Sequence, residues 1–519
     1  MINSILKSLL AFLLMAAISI PCWAHVNSPD VYFQGSAGPY HLIVTVRTPQ
    51  MIPGVATVDI LSATPGISKI TIVPLYIVGP GSKYPPLGDS LSQSKDDPQY
   101  FSGKIWLMGS GSWQIRIQVE GTRGPGELAV PVAAFARTTL PMDRGLGALL
   151  FGLMLLLVAA IIAIFGAAKR EGALAPGEAP TATSRRGARI AMIVTAGVVL
   201  ALLVFGNWWW NSEASAKAKQ MIYTPPPLKA SIDAGGKLTL KMGDSSWHSN
   251  RPDTVMTNLI PDHGYLMHLF LLREPGLDTF YHLHPVPVAN EPGTFEMQLP
   301  AIQAGRYQLF ADVVRGSGFP DTMSAEIDVP GISGTALMGD NSTATAPPVS
   351  ATGALTSAAN ATATGDGVAT VLPDGYRMVW VRGTQPLVAN RFMLLRFELQ
   401  DPQGKPVTDS ELYMGMAGHA EIVKSDRTVF AHIHPEGSVA MAALELTQQS
   451  SPAKASGPAM EPNMGMTMPM GDDSVAEKAR VSFPYGFPKP GEYRLFVQMK
   501  RGGVIETGVF DTQVVAEPK

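Results

Sequence analysis

Five short runs of apolar, β-branched residues, at 41–46, 55–61, 70–78, 105–108 and 113–119, are separated by glycine and proline. Such spacing predicts a sandwich of antiparallel strands over residues 25–142. The pattern then changes. Residues 145–168 are almost wholly apolar and long enough to cross a bilayer. Residues 190–210 form a second such stretch, ending in Trp208, Trp209 and Trp210, a residue type that sits at membrane–water boundaries. Beyond them the short-strand pattern returns at 229–330 and at 367–517. The expected fold is mainly β: three immunoglobulin-like β-sandwich domains, with two transmembrane helices between the first and the second.

The two C-terminal blocks repeat each other. Gly305-Arg-Tyr-Gln-Leu-Phe recurs as Gly491-Glu-Tyr-Arg-Leu-Phe, and Arg315-Gly as Arg501-Gly. The stretch between them, 333–366, is rich in Ala, Thr, Ser and Gly and reads as a flexible linker. Each copy carries one His, a turn-like centre, then Phe-x-His-x-His-Pro. The histidines are His268, His282 and His284 in the first copy, and His419, His432 and His434 in the second. Six of the chain's ten histidines lie in this pattern.

Both segments read as β-hairpins. Side chains alternate faces along a strand, so the two histidines of each His-x-His share a face. A turn centred at Gly276 sets His268 opposite His284. A turn centred between Ser425 and Asp426 sets His419 opposite His432. Opposed residues have Cβ atoms about 4.5–5.5 Å apart, so each hairpin is expected to gather three imidazoles, the commonest protein ligand for transition metals.

Charge and cysteine content narrow the setting. A net charge of −3 gives no basic bias toward a nucleic-acid partner. Residues 1–24 read as a signal peptide, with Lys7 before an apolar core. The one cysteine, Cys22, falls inside it, so thiolate sites and disulfides are not expected in the mature chain. Cleavage after Ala24 would expose His25 as a terminal chelate for Cu(II). The basic loop 169–189, with Lys169, Arg170, Arg185, Arg186 and Arg189, is expected in the cytoplasm. That orientation places the N- and C-terminal domains in the periplasm, on the cytoplasmic (inner) membrane of a bacterium.

The second copy also carries an insertion, about 445–478, with Met460, Met464, Met466, Met468 and Met470 in eleven residues. Thioethers are soft ligands that favour Cu(I). Met416, just before His419, is a further soft donor for the second site, and His263 and Met267 flank the first in the same way. Glu421 shares the His419 face and reads as solvated.

The His hairpin followed by Pro490-Gly491-Glu492-Tyr493 resembles the periplasmic YtkA-like and CopC-like metal-handling modules. That resemblance implies β-sandwiches that bind or pass copper without catalysis. The expectation is a membrane-anchored periplasmic copper-binding protein for tolerance, storage or delivery, holding Cu(II) at the His sites and Cu(I) at the Met-rich loop. Zinc is the other metal these imidazoles suit. Delivery implies a metal transporter or an oxidase-assembly factor as partner. The competing expectation is a scaffold subunit of an envelope membrane complex with no metal role. A metalloenzyme ranks last, because no Ser-His-Asp set, phosphate loop or cofactor fingerprint stands out.

Overall fold

Every apolar run of the N-terminal region forms a strand in the computed structural model. It describes residues 30–175, 177–249, 251, 258–334, 336–349, 361–364 (backbone only), 367–449 and 479–518. The signal segment, His25 and the Met-rich stretch, with Met460, Met464, Met466, Met468 and Met470, lie outside them.

The chain divides into two units, 1–134 with 225–519, and 135–224. The smaller unit is a pair of helices, α1 (Arg144–Glu171) and α2 (Ala182–Met221). Asp143 and Thr181 cap them by accepting from the backbone N–H of Leu146 and Ser184. Leu149, Leu156, Leu200 and Leu202 are exposed, with Trp208, Trp209 and Trp210 beyond. Both helices are long and apolar enough to cross a membrane. The second runs past both ends of the expected span.

The larger unit holds three sandwiches. In the first, one sheet orders Val31–Ala37, Tyr40–Arg47, Gly54–Ser62, Tyr100–Leu107 and Ser92–Gln93. The other orders Asp89–Ser90, Ile67–Tyr76, Gly111–Gly121 and Gly126–Ala134.

The repeats are built alike. In the first, β1 (His268–Arg273) lies between β2 (Thr279–Leu283) and β3 (Gly305–Arg315). In the second, β4 (His419–Lys424) lies between β5 (Phe430–Ile433) and β6 (Gly491–Arg501). A further sheet covers each one.

The expected linker is partly structured. Its Ser342–Thr345 pairs with β2, closing that sheet's edge. Ala361–Thr364 pairs with Gly367–Val371. Edge pairing satisfies backbone groups and needs no apolar side chains, which is why composition did not reveal it.

Strands β1 and β4 are buried on both faces. Leu269 and Leu271 enter the core of their own sandwich, as do Ala420 and Ile422 of theirs. The alternate residues Phe270, Leu272 and Val423 join Phe280, Phe310, Phe430 and Phe496 in a separate apolar cluster between the repeats. Phe280 stacks on Phe496 at 4.3 Å and Phe310 on Phe430 at 4.1 Å. Phe280 and Phe430 are equivalent repeat positions, as are Phe310 and Phe496. The two stacks are therefore one contact made twice, about a pseudo-two-fold axis. Burying each ring contributes about 1.5–3 kcal/mol.

Candidate metal centre

The same opposed faces carry the histidines. In the first hairpin Leu269 pairs with Leu283, so His268 faces His284 one step outward, as expected. In the second, Ala420 pairs with Ile433 and Glu421 with His432. His419 therefore faces His434, and not His432 as the sequence suggested. The turn centres between Asp426 and Arg427, with Arg427 at φ 61°. A two-residue shift preserves the facing side, so all three histidines still point across the interface.

Stacking the repeats merges the two expected sites into one chamber of seven buried or half-buried imidazoles. His268, His282 and His284 offer ligand nitrogens within 4.8 Å of one another, as do His263, His419 and His434. His263 thus crosses to serve the second hairpin's pair. It sits at φ 49° in the turn bridged by Asp262 and Tyr265, matched in the other repeat by Met414 at φ 49° in the turn from Tyr413 to Met416. His432 joins neither triad, but its ring lies 5.4 Å from His268 and 4.6 Å from His434. Met267 is wholly buried in its own sandwich core, not at the site. Met416 is buried in its turn, and the two triads are made of histidine.

Outer ring nitrogens are tethered to protein oxygens. His268 Nε2–H donates to Asp262 O at 3.0 Å. His282 Nδ1–H donates to Gln498 Oε1, and His284 Nδ1–H to Asn341 Oδ1, both at 3.1 Å. His434 Nδ1–H donates to Val439 O at 3.1 Å, and His263 to the Met414 backbone. Such tethers fix tautomer and aim, leaving the inner nitrogen as a lone pair.

Among the described residues, those inner atoms have no partner at His263 Nε2, His284 Nε2 and His434 Nε2. Both nitrogens of His419 and Nε2 of His432 are also unpaired. With these tethers, His268 Nδ1 and His282 Nε2 aim lone pairs at each other across 3.1 Å. Ligands bonded tetrahedrally at 2.0–2.1 Å stand about 3.3 Å apart. A metal ion therefore fits this arrangement, and unpaired buried nitrogens are otherwise costly.

Burial holds every ring of the chamber neutral. It lowers the pKa of His263, His284 and His434 to about 3, and those of His268, His282, His419 and His432 below the usual value. Neighbouring imidazoles add to the effect at most of them.

Glu421 is not solvated. It is wholly buried, neither oxygen has a hydrogen-bond partner among the described residues, and burial pushes its pKa well up. Its Oε1 lies 3.6 Å from His282 Nδ1. Burial also raises Asp312 to about 7. Two apolar faces closing over these residues could not be inferred from one strand. The unbroken apolar run Leu269–Leu272 after His268 was the available signal, because strands buried on both faces lose their alternation.

The N-terminal sandwich also reaches the site. The backbone N–H of Gln34 donates to Glu436 O at 2.8 Å, and that of Ser438 to Tyr32 O at 2.9 Å. These bonds pin the turn that follows His434. Asp262 Oδ1 accepts from Ala442 N at 2.7 Å, tying α3 (Met441–Gln449) to the first repeat.

A second buried network was not legible in the sequence. Ser245 Oγ lies 2.7 Å from His248 Nδ1, and His248 Nε2 lies 3.0 Å from Asp321, which also accepts from Arg315. Ser245 and Asp321 are both buried, so these groups form a structural core network rather than an accessible nucleophile.

Residues 228–331 and 369–516, the two repeats, match a family model described as a domain of unknown function, DUF8832. A search of the curated proteins finds no match. Among solved structures, the chain is similar to Salmonella alpha-2-macroglobulin reacted with methylamine, at 9% identity and a TM-score of 0.19. That likeness covers 94% of this chain and 24% of the other, so the chain spans about a quarter of the macroglobulin's length. It is also similar to a D1–D4 ectodomain fragment of ICAM-5, at 8% identity, 92% and 78% coverage, and a TM-score of 0.15. At such scores the likenesses say nothing about activity.

Proposed function

We propose that this is a membrane-anchored copper-binding protein, acting on the periplasmic side of a bacterial inner membrane in copper tolerance, storage or delivery. One observation carries the reading: two histidine triads converge, and at His263, His284 and His434 an inner nitrogen lacks a partner while the outer one is tethered. All-imidazole donor sets suit copper and zinc, and oxygen-preferring ions such as magnesium and calcium poorly. The Met-rich stretch favours copper of the two, since thioether is a soft donor for Cu(I). The two long apolar helices supply the anchor. Histidine tethers and a buried chamber suit holding an ion more than turning over a substrate, so we read the chain as a binder and not an enzyme.

The test is a competition titration of the full chain in detergent micelles. Cu(II) and Zn(II) are each titrated against a chromophoric chelator at neutral pH. Binding tighter than the chelator's, lost in the variant H284A/H434A, is the expected result. Equal metal uptake by that variant and the unaltered chain would remove the reading.

A further inference from the structure

We propose that the chamber is binuclear. Two metal ions lie side by side, one on His268, His282 and His284 and one on His263, His419 and His434. His432 is within reach of both, and Glu421 is the buried carboxyl beside them that two cations would ionise. This inference rests on the metal-binding reading above and deepens it.

The donor count is the first argument. A single ion takes four ligands in a tetrahedral site. The chamber offers two complete triads and a seventh imidazole, His432, whose Nε2 also lacks a partner among the described residues. One ion in either triad would leave buried nitrogens of the other without a partner, His284 Nε2 in the first or those of His263, His419 and His434 in the second.

The second argument is proximity. Rings of different triads approach closely, His263 to His268 at 6.2 Å and His282 to His419 at 6.4 Å. His432 stands between the triads. Its centroid is 5.4 Å from His268 and 5.7 Å from His282, against 5.5 Å from His419 and 4.6 Å from His434. An imidazole so placed can complete either ion's shell, or move from one to the other as an ion is passed.

Charge is the third. Two divalent ions among neutral rings need a nearby anion, since the low dielectric of so buried a site magnifies their repulsion. The repeats are equivalent at Phe270 and Glu421, yet only one carries a carboxylate. Glu421 is paired in register with His432, sets Oε1 3.6 Å from His282 Nδ1, and has no hydrogen-bond partner among the described residues. Phenylalanine at the other position lies 4.5 Å from His282 and 5.0 Å from His432 by ring centroids. Glu421 therefore occupies the central row of the chamber, between its imidazoles and the phenylalanine stacks.

The experiment is a copper(II) chloride titration of the full chain, followed by electron paramagnetic resonance and by metal analysis after gel filtration. One equivalent should give an isolated Cu(II) spectrum. The second should add spin–spin broadening and a half-field transition, with two ions bound per chain. H284A and H434A should each bind one ion with an isolated spectrum, and E421Q should weaken the second ion more than the first. Saturation at one ion overturns the proposal, as do two ions whose spectra simply add. Those results leave the metal-binding reading standing, whereas no retained copper removes both. Stoichiometry and spectra of the unaltered chain decide the matter even if a variant fails to fold.

Discussion

The imidazole of His432 crosses the repeat interface and sets its Nδ1 3.5 Å from Oδ2 of Asp312. The mirrored contact joins His282 to Gln498, because Gln498 occupies in the second repeat the position that Asp312 holds in the first. One half of the pseudo-symmetric pair is thus an amide tether and the other a carboxylate. A carboxylate beside a ligand imidazole raises its basicity. Asp312→Asn should lower copper affinity about tenfold, read by chelator competition, with circular dichroism unchanged. Unaltered affinity would mean that His432 takes no part in binding.

Glu421 is a buried carboxyl without a hydrogen-bond partner among the described residues, which destabilises a fold that has no cation to offset it. Glu421→Leu should therefore stabilise the metal-free protein by about 1–3 kcal/mol, measured by urea unfolding. The same variant should bind copper more weakly. A loss of stability in the metal-free state would show that the carboxyl has a partner after all.

The phenylalanine stacks make equivalent contacts from either side of the interface. Phe280→Ala and Phe430→Ala should each cost about 3–5 kcal/mol, and the two costs should be alike. Chemical denaturation of the metal-free chain measures both. A large cost from one and a negligible cost from the other would contradict the pseudo-two-fold interface.

Gly437 adopts φ 138°, and a Cβ there would lie 1.9 Å from Tyr32 O. Its backbone also exchanges two hydrogen bonds with His434. Gly437→Ala should loosen the N-terminal sandwich from the turn behind His434 and cost about 1–3 kcal/mol. Hydrogen exchange of the Tyr32 and Gln34 amides should speed up. Unchanged protection would place the docking elsewhere.

Acid should unfold the metal-free protein. The chamber histidines have folded-state pKa values below the ordinary 6.5, down to about 3 at His263, His284 and His434. The unfolded chain therefore takes up protons that the folded chain refuses. Stability is complete above pH 6.5 and declines as pH falls from there toward 3. Asp312, raised to about 7, and Glu421 act in the opposite sense over part of that range, but they are two groups against seven. Thermal melts from pH 8 to 4 should show a steep fall in Tm below 6.5, shallower in H284A/H434A. A flat profile would mean that the rings are solvated.

Much of this was readable from residue order. Strand positions, the apolar helices, the repeat and the shared face of His282 and His284 follow from periodicities that backbone geometry imposes locally. The His268–His284 pairing followed from a turn centred on Gly276. The pairing of His419 with His434 did not, because Ser425 and Asp426 are both turn formers, while the left-handed residue proved to be Arg427, a type that seldom adopts that conformation.

Residue order by itself determined that two like sandwiches would each present three imidazoles on one side of a hairpin. Only the tertiary structure decided that those sides face each other. That stacking brings His263 from one copy to the other's pair, buries Glu421, and recruits Asn341 from the segment between the repeats. The reason is physical: alternation along a strand says which side chains share a face, while what covers that face depends on apolar surfaces more than a hundred residues apart in sequence finding each other.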